Sequence, residues 1–77
     1  MDEIKRALGS NLFLRDLAKL EPGKKGVAVG ESVRIYEDKG GYLLAFLRGT
    51  DEKSRRVIRE KLDTARISYK PAPDFAL

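Results

Sequence analysis

Gly23-Lys24-Lys25-Gly26 sets two lysines between glycines, so backbone that can approach a ligand closely sits beside positive charge, the combination that suits contact with a phosphate. Further on, Arg55, Arg59 and Arg66 fall in one angular sector of an amphipathic stretch with Arg56 nearby, and such a row can track a phosphate backbone. The same stretch also spaces Glu52 with Arg56, Arg56 with Glu60 and Arg59 with Asp63 at i and i+4. Each such pair contributes about 0.2–0.5 kcal/mol, and together they equally describe an ordinary solvated helix face. Tyr36, Tyr42 and Phe46 are interleaved with Arg34, Lys39 and Arg48, where aromatic rings suit stacking on unpaired bases. Phe46 is expected in the core, which leaves Tyr36 and Tyr42, flanking a turn, as the stacking candidates.

The chemistry that is missing narrows the function. The 77 residues include no histidine, cysteine, tryptophan or glutamine. Without the side chain that titrates near neutrality or the readiest nucleophile, catalysis would fall to carboxylates, lysine, tyrosine or hydroxyls alone. The adjacent acids Glu37-Asp38 and Asp51-Glu52 fall at a turn and a helix start, positions that account for them without general acid–base work or a hard cation. No phosphate-loop or dinucleotide fingerprint occurs, since Gly40-Gly41 precedes a strand rather than a helix. The chain is therefore read as noncatalytic, with no metal, no cofactor and no small-molecule substrate.

Lysine and arginine outnumber aspartate and glutamate 16 to 12, for a net charge of +4, which favours polyanionic partners. The surplus lies between residues 24 and 66, because residues 1–23 and 67–77 each balance their acids and bases. A chain this short buries roughly 60% of the surface its unfolded form exposes, and it has neither disulfides nor thiolate metal sites to add stability. A second copy or a protein partner is thus a live alternative. No run approaches the roughly 20 apolar residues of a membrane span, and Asp2-Glu3 opens the chain, so a cytoplasmic location is expected. A charged fraction of 36% with few heat-labile residues also matches thermophilic composition.

These residues need elements to position them. Ile4, Ala7 and Leu8 mark a short helix that Gly9-Ser10-Asn11 interrupts. Ser10 or Asn11 can cap a second helical stretch carrying Leu12, Phe13, Leu17 and Leu20 up to Glu21-Pro22-Gly23. Val27, Val29, Val33 and Ile35 share one face of an extended segment, which Gly30 bends or splits into two short strands around Glu31. Asp38-Lys39-Gly40-Gly41 turns a hairpin into a central strand from Tyr42 to Leu47. Thr50 is placed as the N-cap of a helix striped by Ser54, Val57, Ile58, Leu62 and Ala65. The alternation of Ile67 and Tyr69 then reads as a short last strand, parallel to the central one if the crossover is right-handed, before Pro71 and Pro73 break regularity.

The G-x-x-G spacing of residues 23–26 is similar to the loop with which KH domains clamp a nucleic-acid backbone, although here Val27-Ala28-Val29 follows at once, as in a helix-to-strand turn. A helix ending in Leu20-Glu21-Pro22, a hairpin, then Thr50-Asp51 opening a long helix resembles the small subunits of the KEOPS tRNA-modification assembly. That resemblance implies a noncatalytic α+β subunit whose work is assembly.

The resulting expectation is a two-layer α+β domain over residues 1–70 in the order α-β-β-α-β, with an extended tail at 71–77. It is a small basic module contacting RNA or DNA through Lys24, Lys25, Arg34, Tyr36, Lys39, Tyr42, Arg55, Arg59 and Arg66. The alternative is a protein-interaction or dimerisation subunit without nucleic-acid contact, using Tyr69 and the tail residues Phe75 and Leu77.

Overall fold

Alternation of β-branched residues from Val27 to Ile35 builds the inner face of a sheet, and the chain folds back on itself at Gly30 rather than running through it. In the computed structural model, which describes residues 2–9 and 13–77, that segment is two strands, β2 (Gly26–Val29) and β3 (Val33–Asp38). They pair antiparallel with Val29 opposite Val33 and Val27 opposite Ile35. Lys39-Gly40 then turns β3 into β4 (Gly41–Phe46), with Asp38 opposite Gly41. The helix α2 (Glu52–Thr64) crosses back over the sheet and delivers β5 (Lys70–Pro71) parallel to β4, as expected in direction, but Ile67–Tyr69, read from the sequence as the strand, are irregular and the pairing starts only at Lys70.

The helix α1 (Asp2–Leu8) ends at Gly9, and its Ile4 and Leu8, one turn apart, are both buried. Together with Ile58 and Leu62 of α2 they cover the inward row Val27, Val29, Val33, Ile35, Leu44 and Phe46, and Ile67 closes the cluster. Both helices therefore lie on one face of a five-stranded, mainly antiparallel sheet in the order β1-β2-β3-β4-β5, a two-layer α+β fold. None of the helices among the described residues is long and apolar enough to cross a membrane.

The second helical stretch does not form. Leu14–Asp16 is a short strand, β1, paired with β2 through Leu14 opposite Val29 and Asp16 opposite Val27, and Leu17–Lys19 is a single 3-10 turn. The element order is thus α-β-β-β-β-α-β. Helical spacing of leucines lost to tertiary pairing here: Leu14 joins the inner core, whereas Leu17, wholly buried, lies against Gly26 on the other side of the sheet. The expected helix start at Ser10 or Asn11, and Leu12 of its stripe, lie outside the described residues.

The outer sheet face carries Arg15, Ala28, Arg34 and Ala45 in register across four strands. Over its centre, Glu21 accepts hydrogen bonds from Arg34 (2.8 Å) and Tyr36 (2.6 Å). The tail runs along β4, with Ala72 donating to Leu44, and Phe75 both donating to Phe46 and accepting from Arg48. The Phe75 ring lies 4.3 Å from the Arg34 guanidinium.

The α2 cap also differs by one residue from expectation. Asp51, not Thr50, is the N-cap: it is extended (φ −70°, ψ 160°) and its carboxylate accepts from the Ser54 amide at 2.9 Å. The Thr50 hydroxyl is turned back to donate to the Leu47 carbonyl at 2.7 Å.

Candidate polyanion site at the hairpin end

Strand direction decides which charged residues meet. In this sheet β2 and β4 begin, and β3 ends, at the edge formed by the Lys39-Gly40 turn, and the parallel β5 begins there too, Lys70 opposite Leu43. The approach to β2 is a tight turn, Glu21-Pro22-Gly23-Lys24, in which Pro22 and the positive φ of Gly23 (88°) suit a type II geometry, and Lys24 donates to the Glu21 carbonyl at 3.1 Å. The Lys25 carbonyl then accepts from Glu37 at 2.9 Å, pinning the lysine pair beside the end of β3. The helix-to-strand turn read from the sequence becomes a turn-to-strand connection here.

Three adjoining clefts run across this end. One, about 230 Å³, lies between the hairpin turn and the start of β5 and is lined by Lys39, Tyr42, Tyr69 and Lys70. It shares Asp38 and Leu43 with a second, which holds Lys24, Lys25 and Tyr36. It shares Ser68 and Tyr69 with a third, below the end of α2, which holds Arg66. The central cleft is smaller than the roughly 300–1,000 Å³ of pockets that enclose a drug-sized ligand, so it suits one group of a larger molecule.

Basic residues without an ion pair gather at this end, although Arg6, Lys19, Arg48, Lys53, Arg56 and Lys61 elsewhere are also in none of the ion pairs among the described residues. Among the described residues, none of Lys24, Lys25, Lys39, Arg66 and Lys70 forms an ion pair, whereas Arg34 pairs with Glu21, Arg55 with Asp74, Arg59 with Glu52 and Lys5 with Asp16. Acids are present here too, Glu37, Asp38 and Asp63, but Asp38 is engaged by the Lys39 amide at 2.7 Å.

Tyr36 and Tyr42 are anchored by their hydroxyls. Tyr42 donates to Glu3, and that carboxylate, followed by partial burial, pushes its phenol up to about 12. Burial first, then the bond to Glu21, raises Tyr36; burial and the nearby Asp63 raise Tyr69. All three are half-buried, and Tyr42 and Tyr69 pack against the core.

Of the nine residues assigned to nucleic-acid contact from the sequence, six converge here: Lys24, Lys25, Tyr36, Lys39, Tyr42 and Arg66. Arg34 lies under the Glu21 network on the outer face. Arg55 makes a two-pronged contact with Asp74 (3.0 and 2.9 Å) and donates to the Thr50 carbonyl, so it ties the tail to α2. Arg59 reaches Glu52 rather than Asp63. Sequence reading passed over Lys70 because it put the last strand at Ile67 and Tyr69, whereas β5 starts at Lys70, opposite Leu43. Of the residues assigned to a partner, Tyr69 lines two of the clefts, Phe75 lies against Arg34, and Leu77 is 81% exposed.

Among the described residues no group of three acids is arranged to hold a metal ion. Comparison with protein families, curated proteins and solved structures found no match for this chain. The helix on which the resemblance to the tRNA-modification subunits rested is the 3-10 turn at Leu17–Lys19.

Proposed function

We propose that this protein is a noncatalytic module that binds RNA or DNA, and that its contact surface is the hairpin end of the sheet. The observation that carries the reading is the gathering of Lys24, Lys25, Lys39, Arg66 and Lys70 along adjoining clefts without ion-pair partners, while Arg34, Arg55 and Arg59 are each paired with a carboxylate of the fold. Lysines of this kind hold phosphates as point charges and carry no sequence information by themselves, so affinity is dominated by the backbone and depends on salt.

The test is a fluorescence-anisotropy titration of labelled oligonucleotides over a range of ionic strength. Replacing Lys24, Lys25 and Lys39 together by alanine should cut the slope of log affinity against log salt by about 2 on a single strand. Arg59→Ala should leave it unchanged. Absence of binding at low salt, or binding indifferent to salt, overturns the reading.

A second reading, a protein-interaction or dimerisation subunit, draws on the opposite end of the sheet. There Phe13 (67% exposed) and Val57 (45% exposed) flank an apolar groove beside the β2–β3 turn, formed with Val29, Val33 and Ile58. Sedimentation equilibrium at micromolar concentration distinguishes it: a dimer that Val57→Asp returns to monomer supports this reading, and a strictly monomeric chain removes self-association from it.

A further inference from the structure

Among the described residues, Arg66 is the one non-glycine with a positive φ, 59°. It stands just past the end of α2, where Ile67 donates to the Leu62 carbonyl and Arg66 to the Asp63 carbonyl, both at 3.0 Å. This is a Schellman closure, and its left-handed position is ordinarily glycine, because a side chain there crowds the backbone. A cation near a helix C-terminus interacts favourably with the helix dipole, but the last turn of α2 already holds one in Lys61, beside Asp63, so the dipole alone does not call for an arginine at position 66. Packing does not account for the arginine either, since it is exposed and, among the described residues, has no carboxylate in ion-pair range.

What the side chain does have is a place. With Asp63, Ile67, Ser68 and Tyr69 it lines the cleft that continues, through Ser68 and Tyr69, into the one holding Lys39 and Lys70. We propose that this cleft is a phosphate subsite in its own right, with the Arg66 guanidinium and the Ser68 hydroxyl as its donors, and that the strained backbone at position 66 is the cost of keeping a cation where glycine would fit best. The inference rests on the polyanion reading above. In a bound strand, Lys39 and Lys70 face one phosphate and Arg66 a neighbouring one. Asp63 opposes an anion in the same cleft, so Asp63→Asn should tighten binding.

The experiment compares the full chain with Arg66→Gly by thermal melting and by oligonucleotide titration across salt, with inorganic phosphate as competitor at matched ionic strength. Relief of the left-handed strain should raise Tm by about 4–8 °C. Loss of one contact should lower affinity and flatten the salt slope by about 0.7 on a single strand. If the wild type binds and the variant binds equally with the same slope, the subsite is overturned while the polyanion reading stands; if the wild type binds no oligonucleotide, that reading falls and the subsite with it. A Tm that does not rise overturns the strain. Competition by inorganic phosphate that is lost in Arg66→Gly supports the subsite and assigns it free phosphate as well as the strand.

Discussion

A β-carbon at Gly26 would lie 2.0 Å from the Ile35 carbonyl oxygen and 3.1 Å from the Leu17 side chain, and the residue's φ is 148°. The β2–β3 pair is thus closed over an absent side chain. Gly26→Ala should lose about 3 kcal/mol or more, because backbone rather than a movable side chain must yield. Gly30→Ala, with open space around it, should lose only about 1–2 kcal/mol for its left-handed backbone. Urea denaturation of the two variants separates these mechanisms. Read from the sequence, Gly26 closed a lysine loop; the demand placed on it was hidden because Ile35, the atom donor of the clash, belongs to another strand. Tyr42 makes a second prediction at this scale. Its phenol is held up at about 12 against an ordinary 10.0, mainly by the Glu3 carboxylate. A raised phenol contributes stability that is complete below the unfolded value and is lost as pH climbs through the folded one. Glu3→Gln should bring the tyrosinate titration back toward 10 and remove that alkaline dependence, as followed by ultraviolet absorbance.

At the level of elements, α2 depends on Asp51. The Ser54 side chain first, and then its amide bonded to the carboxylate, hold the group below its usual 3.8, so the stabilisation is present above that value and disappears as pH falls through the lower folded value. Asp51→Ala should therefore melt lower than wild type at neutral pH, and the gap should close once the carboxyl is protonated in both states of the wild type. Thermal melts across acid pH check this. The helix α2 with its buried Ile58 and Leu62, the hairpin at Asp38–Gly41 and the parallel direction of β5 were legible from local signals, acids at a helix start and a glycine pair among them, but the alternation of Ile67 and Tyr69 marked a strand that starts only at Lys70. The β1 strand was not. Three residues are too few to display a period, and the leucines around them happen to fall at helical spacing; only pairing with Val27–Val29 makes a strand of them. The candidate site was half legible for a related reason. Sequence shows which residues are basic, but whether an arginine is free depends on partners such as Glu21 or Asp74, which sit 13 and 19 residues away from Arg34 and Arg55.

The whole molecule has two unlike ends, a basic one at the Lys39-Gly40 turn and an apolar one at the Gly30–Ser32 turn, joined by a sheet whose outer face is closed by the Glu21–Arg34–Phe75 cluster. The last residues belong to that frame. Truncation after Lys70 removes the bonds of Ala72 and Phe75 to β4, the ring beneath Arg34 and the partner of Arg55. The lost backbone bonds and ring burial together should amount to roughly 2–4 kcal/mol. Denaturant melts of the truncated chain measure it, and an unchanged midpoint would show that the tail adds nothing to the fold.

The same lid over β4 governs how the protein fails. Tyr42 to Leu47 is an uncharged run of β-forming residues, and Lys70–Phe75, with Pro71 and Pro73, occupies its free side. When that short ribbon lifts off, an apolar template for cross-β stacking is uncovered while the remainder of the sheet is still intact. Aggregation of this protein in storage should thus follow the frequency of tail detachment, a local event, rather than its global unfolding temperature.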